Sequence, residues 1–123
     1  ERIEFREHIS DEEVTDLYSR ASLLLYPSVY EGFGWPPLEA MALGCPVVSS
    51  DAASLPEVVG NAALTGSWYN PDLLSAQCRR VLANDQLAKR LIIRGKENVQ
   101  RFTVDRMAKG LQRAYRQARG GQE

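Results

Sequence analysis

The sequence predicts an α/β domain: a parallel sheet flanked by helices, with a helical C-terminal tail. Three observations predict it. Short apolar runs, Leu23-Leu24-Leu25-Tyr26 and Pro46-Val47-Val48-Ser49-Ser50, alternate with segments of helical periodicity. The run at Leu23–Tyr26 is continuously apolar and ends at Pro27, the pattern of a strand buried on both faces. Beyond Asn70-Pro71, apolar residues recur at helical spacing almost to the end of the chain.

In chain order, Ile3 and Phe5 alternate with charged neighbours, which predicts a short strand. Ser10-Asp11-Glu12-Glu13 is a capping box, and Val14, Leu17, Tyr18 and Ala21 carry the helix that follows. The Leu23–Tyr26 strand comes next and is expected at the centre of the sheet. Pro36-Pro37 can open a helix, because the first-turn N–H groups lack intrahelical partners. Gly44 fits the C-terminal end of that helix. After the Pro46–Ser50 strand, Ser54-Leu55-Pro56-Glu57 reads as a second capping box opening a brief helix over 57–59. A weak strand at 62–65 leads through Gly66, Ser67 and Asn70-Pro71 into helices. Their apolar stripes are Leu74/Cys78/Val81/Leu82, Leu87/Leu91/Ile92 and Met107/Leu111/Ala114/Tyr115/Ala118, expected to pack outside or across the sheet. Gly120 and Gly121 are expected to fray. The resulting division is 1–66, βα units with the site motif, and 67–123, C-terminal helices.

Composition narrows the function classes. The 123 residues fit one domain, and a 44% hydrophobic and 25% charged content is ordinary for a globular chain. A net charge of −1 gives nucleic acid no electrostatic footing. No apolar run is long enough to span a bilayer, and no signal peptide is expected. Cys45 and Cys78 are too few for a disulfide framework, so a reducing, cytoplasmic compartment is expected. One histidine and two separated cysteines imply no structural zinc. The chain begins at Glu1 rather than methionine, so it is expected to be part of a larger protein.

The chemical signal is concentrated in Tyr30-Glu31-Gly32-Phe33-Gly34-Trp35-Pro36-Pro37-Leu38-Glu39-Ala40. Ligands of open parallel sheets bind beyond the carboxyl ends of the strands, where the 28–35 loop should lie. Gly32 and Gly34 permit backbone angles and close approaches that side chains forbid. The helix that follows aims its N-terminal dipole and free N–H groups at the same volume, which suits a diphosphate. Glu39, about one turn in, suits a ribose diol, since a carboxylate accepts from two adjacent hydroxyls. The plainer alternative is that Glu39 complements the helix dipole and Glu31 is a solvated loop residue.

The segment from Ser10 to Val59 resembles the C-terminal domain of the group-1 retaining glycosyltransferases of the GT-B fold. Glu31 and Glu39 match that family's E-x7-E motif, and Gly32-Phe33-Gly34-Trp35-Pro36-Pro37-Leu38 fills it, with Trp35 where leucine is commoner. Ala40-Met41-Ala42-Leu43-Gly44-Cys45-Pro46-Val47-Val48 and Leu55-Pro56-Glu57-Val58-Val59-Gly60 continue the match. The resemblance implies a partial Rossmann-like domain in which Glu31 lies against the donor sugar as the catalytic-site carboxylate. It implies that Gly32, Phe33, Gly34 and Trp35 bind sugar and diphosphate, that Glu39 holds the ribose, and that His8 and Ile9 touch the base. Arg6 and Glu7 depart from the family at that base loop, where an apolar residue and glycine are favoured, as does Thr65-Gly66-Ser67-Trp68 further on.

The substrate so implied is a nucleotide-diphosphate sugar, GDP-mannose ahead of a UDP-sugar, with no cofactor and no metal. The acceptor would be a glycan or a lipid-linked glycan, bound by an N-terminal domain outside this chain, which alone is expected to be inactive. The alternative from another class is a non-catalytic nucleotide-sugar-binding or interaction module. An unpaired sheet edge would favour self-association. Among single residues, His8 is expected at the surface or in packing, Cys45 as a buried small hydrophobe, Asp51 in a turn or facing the cleft, and Trp35 and Trp68 in packing. Arg106, Lys109, Arg113 and Arg116 share one helical face, either simply solvated or facing an anionic membrane surface or the first domain.

Overall fold

The computed structural model describes residues 3–120. It has six α-helices and three strands: α1 (Asp11–Arg20), β1 (Leu24–Tyr26), α2 (Trp35–Ala42), β2 (Val47–Ser50), α3 (Leu55–Val59), β3 (Ala63–Gly66), α4 (Pro71–Leu82), α5 (Asp85–Val99) and α6 (Val104–Gly120). A 3-10 turn, Gln100–Phe102, separates the last two helices. The sheet is parallel, in the order β1-β2-β3, with Leu24 opposite Val47 and Val47 opposite Ala63. The α/β class and the strand–helix alternation agree with the sequence reading.

Four expectations are corrected. Residues 3–9 form no strand: Ile3 and Phe5 are 78% and 90% exposed, because no neighbouring strand takes up their backbone groups. The strand at Leu24–Tyr26 lies at an edge of this sheet, not at its centre, and Leu25 is exposed. The central strand is β2, whose four residues are all buried. The second capping box does not form. The helix starts earlier, at Leu55, and the Ser54 hydroxyl turns to the 31–33 loop instead of its own helix.

The fourth correction concerns α6. Its stripe Met107, Leu111 and Tyr115 is exposed, and its principal contact is the 3-10 turn at its base. Leu82 likewise points away from the core. The last residue expected to fray, Gly121, lies outside the described residues.

The core has two layers, because successive strand residues face opposite ways. On one side of β2, Val47 packs with Leu38, Met41, Val58 and Val59. On the other, Val48 packs with Leu74, Val81 and Leu91. Helix α5 reaches α2 through Gly95, where an added Cβ would lie 3.0 Å from the Met41 Cγ. Asn98, buried at the end of α5, donates to the Val58 carbonyl at 2.9 Å and accepts from Arg101 at 2.8 Å. It thereby satisfies its own polar atoms and ties α5 to α3.

Local chemistry explains the helix starts. Ser10 and Glu13 form the expected capping box, at 3.2 and 3.0 Å, with Asp11, Glu12 and Glu13 in the first turn of α1. Asn70 and Asn84 cap α4 and α5 through their side-chain oxygens. Burial raises the pKa of both free cysteines, Cys45 and Cys78, which makes them poor nucleophiles.

Candidate functional site

The site lies at the carboxyl ends of β1 and β2. The chain leaves β1 at Tyr26, loops through residues 27–34 and enters α2 at Trp35. Gly34 makes the entry possible: as N-cap of α2 it has φ +104°, a left-handed conformation in which a side chain is strained. A Cβ there would also meet the buried Leu55 Cδ2 at 2.9 Å.

The helix begins one residue before the prolines, which refines the source of its anion-facing donors. Pro36 and Pro37 have no N–H to offer. Among the described residues, the N–H groups of Gly32, Phe33, Gly34 and Trp35 find no acceptor in the chain, and no side chain caps the helix. The free donors at the start of α2 are therefore those of the Gly-Phe-Gly-Trp turn, backed by the α2 dipole.

Hydroxyl groups hold this turn in place. Ser54 Oγ lies 2.9 Å from the Phe33 carbonyl and 3.2 Å from that of Glu31, sharing its one proton between them. Ser50, at the end of the buried central strand, donates to the Ser28 carbonyl. The Glu31 carboxylate is half-buried and accepts at Oε1 from the Tyr26 hydroxyl and from Ser28 Oγ, the latter at 2.9 Å. Burial, then the hydrogen bond to Glu31, pushes the Tyr26 pKa up to about 12. The Phe33 ring packs against Trp35 at 4.7 Å with the rings tilted by 45°, and meets Phe102 edge-on at 5.6 Å.

Glu39 is exposed on the side of α2 that faces α1, in a groove of about 380 Å³ lined with Asp11, Thr15 and Tyr18. Burial chiefly, with the charge of Glu39, raises the Tyr18 pKa. A second groove, about 220 Å³, joins Glu39 to Trp35 and Phe102. Glu39 lines both of these grooves, and Glu31 lines neither. A third groove, about 520 Å³, has Phe33, Trp35 and Phe102 on one wall and Arg101 and Arg106 at its rim.

The remaining site residues are scattered. His8 is exposed with a left-handed backbone, φ +53°, and Ile9 is half-buried, in the segment just before α1. Asp51 accepts from Ser67 Oγ at 3.0 Å, a contact between the segments that follow β2 and β3 rather than a bond within one turn. Trp35 and Trp68 are 59% and 46% exposed, and each packs against an aromatic neighbour, Phe33 and Tyr69, without entering the core. Arg106, Lys109, Arg113 and Arg116 are all exposed on α6. No group of three or more His, Cys, Asp or Glu is placed to hold a metal ion among the described residues. No described helix is long and apolar enough to cross a membrane. Sequence reasoning missed Tyr26, Ser28, Ser50 and Ser54. The available signal was that both site-forming strands end in hydroxyl-bearing residues beside the Gly-x-Gly loop.

Residues 1–98 match the model of the glycosyl transferases group 1 family. This chain belongs to the group 1 glycosyltransferases. It is 38% identical over 114 residues to O-antigen chain mannosyltransferase B of Escherichia coli, a match covering 93% of this chain and 30% of that protein. It is 46% identical over 72 residues to the O-antigen chain mannosyltransferase RfbU of Salmonella typhimurium, covering 58% and 20%. It is 42% identical over 86 residues to an MMP alpha-(1->4)-mannosyltransferase of Mycolicibacterium hassiacum, covering 68% and 21%. The chain thus spans less than a third of the length of these relatives. The family match takes in all three strands and the whole Glu31–Glu39 segment of this glycosyltransferase chain.

Proposed function

We propose that the chain is the donor-side part of a retaining glycosyltransferase. The full-length protein would transfer a sugar from a nucleotide-diphosphate sugar to a hydroxyl of a glycan or lipid-linked acceptor. In that reaction the bond from the anomeric carbon to the diphosphate oxygen breaks and a bond to the acceptor oxygen forms. The acceptor hydroxyl loses its proton, and the nucleoside diphosphate leaves. Negative charge builds on the leaving diphosphate, so fixed donors aimed at it lower the barrier.

The observation that carries this reading is the Gly32–Trp35 turn, which follows β1 between Glu31 and Glu39 in the chain and whose N–H groups have no acceptor among the described residues. These donors suit the diphosphate. Glu39, exposed in its own groove, suits the ribose diol. Glu31, held by Tyr26 and Ser28, suits the donor sugar and developing positive charge at its anomeric carbon. His8 and Ile9 suit the base, in the segment preceding α1. GDP-mannose is favoured over UDP-sugars because several relatives are named mannosyltransferases. The acceptor wall would come from residues outside this chain, which by itself would not catalyse transfer. A cytoplasmic site with peripheral membrane contact fits a lipid-linked acceptor and the basic face of α6. The free edge of β1, with Leu25 exposed, offers a route to self-association.

The test is Glu39→Ala in the full-length protein. Losing a carboxylate that accepts from two hydroxyls should weaken both GDP-mannose and GDP by roughly 10- to 100-fold, as measured by calorimetry. Wild-type affinity for both ligands would remove Glu39 from the ribose site.

A further inference from the structure

The Glu31 carboxylate is held by more than the loop that carries it. Both of its donors converge on one oxygen, Oε1: the phenol of Tyr26, the last residue of β1, and the hydroxyl of Ser28. With a pKa raised to about 12, Tyr26 remains a protonated donor at any physiological pH. Ser28 Oγ also lies 3.1 Å from the Tyr30 carbonyl, so its single proton is shared and Tyr26 is the stronger partner. The main chain is pinned as well, with Ser50 on the Ser28 carbonyl and Ser54 on that of Glu31. The anchoring runs back to the buried central strand β2.

A carboxylate has about four lone-pair sites, two on each oxygen. Two donors on Oε1 use that oxygen's share and, among the described residues, leave Oε2 without a partner. They also remove the rotamer freedom that an unrestrained glutamate would lose on meeting a ligand. We propose that Tyr26 and Ser28 are positioning residues for donor-sugar recognition: they occupy Glu31 Oε1 and present Oε2 to the hydroxyls of the donor sugar. The inference rests on the assignment of Glu31 to the donor sugar made above. It makes a specific demand, that loss of the Tyr26 hydroxyl is felt by a ligand carrying the sugar and not by the nucleoside diphosphate alone.

The experiment measures GDP-mannose and GDP binding to the full-length protein and its variants. Tyr26→Phe keeps the ring and removes only the donor. It should weaken GDP-mannose about tenfold and leave GDP affinity unchanged. Ser28→Ala should show a smaller loss of the same kind, while Ser28→Thr, which retains a hydroxyl, should restore most of it. Glu31→Ala is the control for the underlying assignment and should weaken GDP-mannose selectively. If Glu31→Ala does so and Tyr26→Phe binds both ligands as wild type does, the positioning role is wrong and the site assignment stands. If Glu31→Ala leaves GDP-mannose affinity intact, or the wild-type protein does not bind GDP-mannose, the assignment falls and the inference with it. Equal weakening of GDP-mannose and GDP by Tyr26→Phe would mean general damage to the loop and would also overturn the proposal.

Discussion

Helices α2 and α6 differ in almost every respect that matters for the site. Helix α2 has eight residues, two of them prolines, and buries Pro37, Leu38, Ala40 and Met41. An isolated helix of that length would not persist in water. It exists because the sheet and Gly95 of α5 receive its apolar face, and because Gly34 sets its entry angle. Helix α6 has seventeen residues and a clear apolar stripe, all of it exposed among the described side chains. Length and amphipathic pattern therefore do not decide which helix is built into a fold. What decides is whether a complementary surface is within reach, and in this molecule the shorter helix has it and follows the Gly-x-Gly turn.

The sharpest way to break that contrast is Gly34→Ala. The new Cβ would force a left-handed non-glycine conformation and meet the buried Leu55 at 2.9 Å. Together these effects should cost about 3 kcal/mol, lowering the melting temperature by roughly 10–20 °C. Thermal unfolding by circular dichroism checks it. A shift of only a degree or two would show that α2 does not depend on its entry turn.

A smaller effect should appear at the other side of the loop, where Tyr26 supports Glu31. The Tyr26 pKa rises from 10.0 to about 12 in the folded chain, chiefly by burial and next by the hydrogen bond to Glu31. The folded state therefore holds this proton more tightly than the unfolded state does. The associated stability is fully present below pH 10 and is lost as pH climbs towards about 12. Urea unfolding across that interval should show a steeper alkaline loss for the wild type than for Tyr26→Phe. Identical slopes would place the Tyr26 phenol in water rather than on Glu31.

Much of this was legible from local pattern, and the misses share one cause. Ser10 and Glu13 announced α1 because a capping box is satisfied by residues three positions apart. The Gly-x-Gly loop and the two prolines announced the α2 entry for the same reason, and the Glu31–Glu39 spacing pointed to the family. Long-range partnership was not readable in this way. Leu23–Tyr26 has the composition of a central strand, but strand order depends on which neighbours pair, and here β2 takes the centre. Ile3 and Phe5 alternate like a strand, yet alternation supplies no partner for the backbone. Ser54 has the spacing of a cap, but the carbonyls of Glu31 and Phe33, more than twenty residues earlier, compete for its hydroxyl and win.

The smallest expected effect lies at the far end of the comparison. Replacing Met107, Leu111 and Tyr115 together with glutamine removes most of the exposed stripe of α6. In a helix whose apolar face was part of the core, each such change would cost several kcal/mol. Here all three side chains are more than half exposed and α6 meets the body of the domain mainly at the 3-10 turn. Glutamine is also a good helix former. The triple variant of this chain should therefore unfold within about 0.5 kcal/mol of the wild type in urea. A loss of several kcal/mol would show that the stripe is covered in solution. The contrast with α2 would then be one of timing in assembly rather than of membership in the core.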